Sequence, residues 1–217
     1  DSIKIEDITI RNAVLGHTGS ITLQTAMNYS LNTGMVTIGQ LLGGGTLNST
    51  ARNKIYDYFY NRFGLGRETG IEILESQGSI VSPKNVEGNA VRYSNMTFGQ
   101  GMTTTMLQTA NAFSSLVNGG ILYKPSIVAG MVDEDGKLSK KDSEIAHKNV
   151  ISKETSDQMK QVLEGVRKAG GAKDAPGYQI GGKTGTSQTI VGGKYVDYQT
   201  IGSYVGFGGG EEAEYVI

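Results

Sequence analysis

"IGGKTGTSQ", Ile180–Gln188, carries a single charge, Lys183, set among glycines and hydroxyl residues. Glycine on both sides removes the Cβ bulk that would hold another backbone at a distance. Thr184 and Thr186 alternate with Gly185, so on an extended strand both hydroxyls face the same way. The stretch therefore reads as a strand edge offering a cation, two hydroxyls and backbone N–H groups. Such an edge can hold an extended peptide and its carboxylate.

The surrounding pattern supplies the rest of a sheet. Strands are expected over about 178–188 and 194–207, joined at Gly192-Gly193, with a third beginning at Tyr215. Ile201, Ser203, Val205 and Phe207 share one face of the second. Upstream, helical spacing dominates. Leu23, Ala26 and Met27, then Met35, Ile38 and Leu42, read as two helices joined by a turn that displays Ser30 and Asn32. Ala51, Ile55, Tyr58, Phe59 and Phe63 form a stripe stopped by Gly64 and Gly66. Thr105 with Gln108 makes a capping box, and its helix is expected to bury Met106, Ala110, Phe113 and Val117. Ser152 caps a further helix with Met159, Val162, Leu163 and Val166 inward. Ile121–Val132 reads as one or two short strands ending at the Asp133–Gly136 turn. Helices followed by antiparallel strands argue for an α+β domain with helices on the sheet.

Composition narrows the chemistry. The chain has 217 residues, 20 Lys+Arg against 21 Asp+Glu, and a net charge of −1, which gives no electrostatic case for nucleic acid. Without cysteine there are no disulfides or thiolate metal sites. His17 and His147, the two histidines, are expected at the surface, and no metal or cofactor is called for. No run of about 18 apolar residues suggests a membrane span. Asp1 is not an initiator methionine, so the numbering is expected to begin inside a longer protein.

Taken singly, the motifs are weak. By residue frequencies a Lys-[Ser/Thr]-Gly triplet occurs in roughly one chain in ten of this length, and Ser-x-Asn in about half. Together, in this order, with Ser30-Leu-Asn32 in a turn between helices and Lys183-Thr-Gly on a strand after a long helix, they form two of the three elements of penicillin-binding proteins and serine β-lactamases. The likeness extends through "ITLQTAMNYSLNTGMVTIGQLLG", "FGLGRETGIEILESQG", "MTFGQGMTTTMLQTANAFSSLVNGGILYKP", "VISKETSDQMKQVLEGV" and "GKYVDYQTIGSYVGFGGG". The chain thus resembles class B penicillin-binding proteins, in particular the division-type branch, over nearly all of residues 1–217.

That resemblance implies a penicillin-binding protein/serine β-lactamase-like transpeptidase fold. It also implies a serine D,D-transpeptidase that cross-links peptidoglycan stem peptides ending in D-Ala-D-Ala and is acylated by β-lactams. Carried over, Ser30 relays protons to the leaving group, and Asn32 holds the substrate amide and orients the catalytic lysine. Lys183 supplies positive potential for the terminal carboxylate. Thr184, Gly185 and Thr186 form the substrate-binding run, with the Thr186 N–H as half of an oxyanion hole. The implied setting is the extracytoplasmic face of a bacterial plasma membrane, with division or elongation proteins as partners. No Ser-x-x-Lys occurs in the sequence. The chain is therefore expected to be part of a transpeptidase domain incomplete at both ends, without its nucleophile and inactive alone. Two rivals remain: a β-lactam sensor or serine β-lactamase, for which Glu72 or Glu75 would have to serve as deacylating base, and a non-catalytic division scaffold.

Overall fold

Isoleucine at alternate positions opens the chain, at Ile3 and Ile5 and again at Ile8 and Ile10. The structure, a computed structural model, describes residues 1–217, with the side chains of Ile190, Lys194, Tyr195 and Asp197 left undescribed. It pairs these runs as an antiparallel hairpin, β1 (Ser2–Ile5) with β2 (Ile8–Arg11). Two four-residue runs are too short for period alone to separate them from a loop. Ile5 and Ile10 are buried in a first core with Val36, Leu47, Ala51, Ile55, Tyr93 and Met96. Those residues come from α2 (Asn32–Leu41), α3 (Ser49–Tyr56), α4 (Ala90–Met96) and the loop before α3.

The stripe expected over residues 49–63 is one continuous element but not one kind of helix. After Tyr56 the backbone widens into a π-helical segment, Asp57–Arg62, closed by Phe63 N–H donating to Tyr58 O at 2.8 Å. A hydrophobic period of about four residues suits both geometries, so the sequence pattern does not separate them.

The second core lies around the late sheet. Helix α5 (Met106–Val117) has the expected capping box, and α6 (Lys153–Ala169) starts at the Ser152 cap. Phe113 and Val117 of α5, Leu163 of α6 and Phe207 of the sheet are buried together. Met106 departs from expectation, being 91% exposed. The first turn of α5 turns Gln108 inward instead, where its Oε1 accepts the Gly66 N–H at 3.0 Å. A buried amide that caps both its own helix and a neighbouring loop outweighs one methionine at a helix end.

The sheet runs β7 (Gln179–Val191), β8 (Lys194–Gly209), β9 (Tyr215–Val216), antiparallel and in that order. Gly192 and Gly193 both have positive φ, 59° and 78°, the two-residue turn that suits strand twist. Helices α5 and α6 lie on one face. Tyr198 and Tyr204 of β8 are exposed. Two small ladders complete the strands: β3 (Leu122–Tyr123) with β6 (Ile145–His147), and β4 (Gly130–Val132) with β5 (Leu138–Lys140) around the expected Asp133–Gly136 turn. Among the described residues no helix is long and apolar enough to cross a membrane.

Helix α1 (Leu23–Asn28) ties the two halves together. Gln24 Nε2 donates to Val162 O of α6 at 3.1 Å. Gly165 makes room for it, since a Cβ there would stand 2.9 Å from Gln24 Nε2. The C-terminal end of α1 is thereby set beside β7.

Candidate functional site

Helix α1 ends in a two-bond cap. Ser30 N–H donates to Met27 O at 3.2 Å, and Leu31 N–H reaches back to Ala26 O at 2.9 Å. This arrangement requires a left-handed residue at its apex, a position that glycine usually fills. Here it is Ser30, at φ 53°. Leu31, 0% exposed, anchors the turn from below. Backbone strain in a non-glycine residue, held in place by its surroundings, clusters at functional sites, though Glu6 and Asn149 share the conformation here. What Ser30 presents is a hydroxyl that accepts a hydrogen bond from Lys183 Nζ, 153 residues away.

Removing the hydroxyl while leaving the backbone question open isolates that strain. Ser30→Gly is expected to be more stable than Ser30→Ala by about 1 kcal/mol, the reverse of the usual glycine penalty. Chemical denaturation of the two variants measures it. An alanine variant at least as stable as the glycine variant would show the turn to be unstrained.

Lys183 is half-buried. Besides Ser30 Oγ it donates to the carbonyl of Thr184 at 2.8 Å. Burial pushes its pKa below the ordinary 10.5, because a desolvated ammonium loses hydration that two neutral acceptors only partly replace. Strand β7 holds a neighbour on one side only, so the Lys183–Thr186 run lies on an edge. Thr184 and Thr186 are both exposed. A Cβ at Gly185 would stand 2.6 Å from Ser203 Oγ, an exposed hydroxyl that can rotate aside.

Asn32 is brought near the turn but is engaged elsewhere. It is the first residue of α2, and its Nδ2 donates to Arg11 O of β2 at 2.9 Å. Of Ser30 and Asn32, only Ser30 bonds to Lys183. A cleft of about 410 Å³ opens between the end of α1, the end of α6 and β7, lined by Tyr29, Val166, Arg167, Lys183, Thr184 and Tyr204. Tyr204 was not legible as a site residue. Its ring lies over Gly182 and Gly206, where a Cβ would come within 2.1 Å and 2.7 Å of it. Paired tiny residues opposite an aromatic are the signal that could have placed it. A larger cleft, about 480 Å³, is lined by Asn89, Arg92 and Asn95 and contains neither Ser30 nor Lys183. Size alone therefore does not locate this chemistry.

The two glutamates weighed as bases are structural. Glu72 is held by Lys141, by the Ser126 hydroxyl and by Ile127 N–H at 3.0 Å, and these bonds, Lys141 foremost, bring its carboxyl down to about 2. Glu75 feels an opposing push from burial. It nonetheless falls below its ordinary value because it accepts from Thr69 N–H and Oγ1 at 2.8 Å each and from Gly70 N–H at 2.7 Å. A base so acidic and so fully committed is poorly matched to activating water near neutral pH. The histidines are partly exposed, His17 packed at a tilt against Tyr29 with 4.2 Å between ring centroids and His147 Nδ1 bonded to Lys148 O at 2.7 Å. Among the described residues no group of three His, Cys, Asp or Glu could hold a metal.

Residues 1–217 match the penicillin binding protein transpeptidase domain family. Over 205 residues the chain is 37% identical to stage V sporulation protein D of Bacillus subtilis, a match covering 93% of the chain and 30% of that protein. It is 28% identical over 220 residues to penicillin-binding protein PbpB of Mycolicibacterium smegmatis, covering 93% and 33%. The fold superposes on penicillin binding protein 3 of Mycobacterium tuberculosis complexed with aztreonam at a TM-score of 0.84 and 26% identity, covering 99% of this chain and 48% of that one. The chain spans about a third of the length of the curated relatives it matches.

Proposed function

Because the chain belongs to the penicillin-binding protein transpeptidase domain family, we propose that residues 1–217 are the part of a class B peptidoglycan D,D-transpeptidase domain that receives the donor stem peptide. The observation that carries this reading is the Lys183 Nζ–Ser30 Oγ hydrogen bond at the edge of β7. In the proposed reaction a serine attacks the penultimate D-Ala carbonyl and expels the terminal D-Ala, and an amine of a neighbouring stem then takes the acyl group. The sequence has no Ser-x-x-Lys, so the attacking serine is assigned outside this chain.

Each residue here then has a part in that step. The peptide extends β7 by pairing with its open edge. Its terminal carboxylate lies against the Thr184 and Thr186 hydroxyls in the field of the Lys183 ammonium. Ser30, already hydrogen-bonded to that ammonium, passes a proton to the departing amine and is reprotonated by the proton that the attacking serine gives up, so the relay has no net gain or loss. The Thr186 N–H donates to the developing oxyanion. With the Asn32 donor held by Arg11 O, its Oδ1 is the atom assigned to accept a substrate N–H or the ammonium of the catalytic lysine. We assign the domain to the outer side of the plasma membrane, where stem peptides and β-lactams meet it, with division or elongation proteins as partners. The positions of Glu72 and Glu75 count against a β-lactamase.

Fluorescent penicillin is expected to label the full-length protein on one serine that is not in this chain. An adduct at Ser30, or no adduct on folded protein, overturns the reading. The pH dependence has a definite sign. Carboxylate capture needs the ammonium, which is present below the Lys183 pKa and lost above it. Since burial lowers that pKa from 10.5, the alkaline fall in acylation rate is expected to begin earlier than for an ordinary lysine. A rate–pH profile that stays flat through the ordinary lysine range would separate Lys183 from carboxylate capture.

A further inference from the structure

Helix α2 begins without a cap of its own. Leu31 occupies the N-cap position and makes no side-chain hydrogen bond there. The missing acceptor comes from the end of β2. Asn12, 4% exposed, accepts the Thr33 N–H on Oδ1 at 3.0 Å and the Thr33 hydroxyl at 3.1 Å. Beside it the Arg11 carbonyl takes Asn32 Nδ2 at 2.9 Å. Asn12 is anchored in turn, its Nδ2 donating to Asp1 Oδ1 at 3.4 Å and its N–H to Asp1 O at 3.0 Å. The Thr33 N–H, which can only donate, fixes which amide atom is the oxygen.

We propose that Asn12 is a positioning residue for Ser30: by capping α2 from β2 it fixes the first turn of α2, and with it the left-handed serine held against Lys183. The inference rests on the transpeptidase reading of that site. A serine does not hold a left-handed backbone by its own preference and must be constrained from both sides. From the α1 side the bonds to Met27 and Ala26 do so. From the α2 side the grip is the Arg11–Asn12 pair, which fastens Asn32 and Thr33, the second and third residues after Ser30. Without the Asn12 oxygen the Thr33 N–H loses its acceptor, the first turn of α2 frays, and the Ser30 hydroxyl is no longer held in one place. The polar atoms of Asn12 are taken up by Asp1 and Thr33, so it acts through the turn and not on substrate.

The test uses the full-length protein with Asn12→Ala and with the double variant Asp1→Asn/Asn12→Asp. The double variant keeps an acceptor for Thr33. It also avoids the conflict that Asn12→Asp alone would create, a carboxylate 3.4 Å from that of Asp1; its one loss, the acceptor that Asp1 Oδ1 gives the His17 N–H at 3.0 Å, falls outside the first turn of α2. Stopped-flow acylation by benzylpenicillin separates binding from the acylation step, and hydrogen exchange reports on residues 30–36. In Asn12→Ala the acylation step is expected to slow roughly 10- to 100-fold with binding little changed, as for a misplaced catalytic group. Residues 30–36 should exchange faster, and the double variant should recover both properties. Acylation within about twofold of the parent, with unchanged exchange, overturns the inference. So does a loss of melting temperature alone. Should the parent itself take no penicillin, it is the transpeptidase reading that fails. Exchange then decides the positioning claim: protection lost in Asn12→Ala and restored in the double variant upholds it, and unchanged protection sinks it. If Asn12→Ala does not fold, Asn12→Ser, with a shorter acceptor, replaces it and is expected to give an intermediate effect; parent-like acylation and exchange in that variant overturn the claim.

Discussion

Lys183→Ala is expected to slow β-lactam acylation of the full-length protein by roughly 10²–10³, the scale of losing one preorganised electrostatic contact in a transition state. Three losses coincide. The proposed carboxylate anchor goes, the donor to Ser30 Oγ goes, and the strand edge loses its only cation between Gly177 and Gly193. Stability should change little, because the half-buried ammonium already sits at a depressed pKa and its removal relieves desolvation as it removes two hydrogen bonds. Lys183→Arg is a sharper version of the same test. A longer side chain ending in a rigid planar fork does not reproduce the geometry with which one ammonium nitrogen meets both Ser30 Oγ and Thr184 O, so retained charge should restore only part of the rate. Unchanged acylation in the alanine variant, with an unaltered circular dichroism spectrum, would place the lysine outside the site.

Much of this site could be read because its signals are local. A lysine flanked by glycines and alternating threonines needs only the two-residue period of a strand to be placed on an edge. Ser30 needs only the break between two helical stripes. The caps at Ser152 and Thr105 were legible for the same reason, since each is a side chain bonding to backbone three residues on. What escaped depends on partners distant in sequence. The β1–β2 hairpin is too short to declare itself, yet it clamps α2. Gln108 looks like a capping residue and is also a bridge to Gly66, which is why Met106 faces solvent. Tyr204 becomes a cleft residue only through the register that sets it opposite Thr184. The place of Asn32 beside the turn was legible, but its tie to Arg11, 21 residues back, was not.

The same dependence on distant packing makes Gly181 a sensitive small residue near the site. A Cβ there would lie 2.4 Å from Phe207 Cε1 and 3.0 Å from both Glu164 N and Leu163 C. The phenylalanine cannot swing away, being 2% exposed and in contact with Phe113 at 6.5 Å between ring centroids. The other two atoms are helix backbone. Helix α6 or strand β7 must therefore shift, and Gly181→Ala is expected to cost about 1–3 kcal/mol, the range for overpacking a filled core. Lys183 follows two residues along on the same face of β7. A displaced strand carries it off Ser30, so acylation should fall as well, measured on the fraction that remains folded. Gly202→Ala is the matched control: it lies on β8 opposite Thr186, and a Cβ there meets nothing within 4 Å. It should be neutral or slightly stabilising, since alanine restricts the unfolded chain more than glycine does. Urea midpoints for the two variants decide the matter. A Gly181→Ala protein as stable as the Gly202→Ala protein would mean that α6 does not press on β7 as closely as these distances require, and the placement of Lys183 would have to rest on something other than that contact.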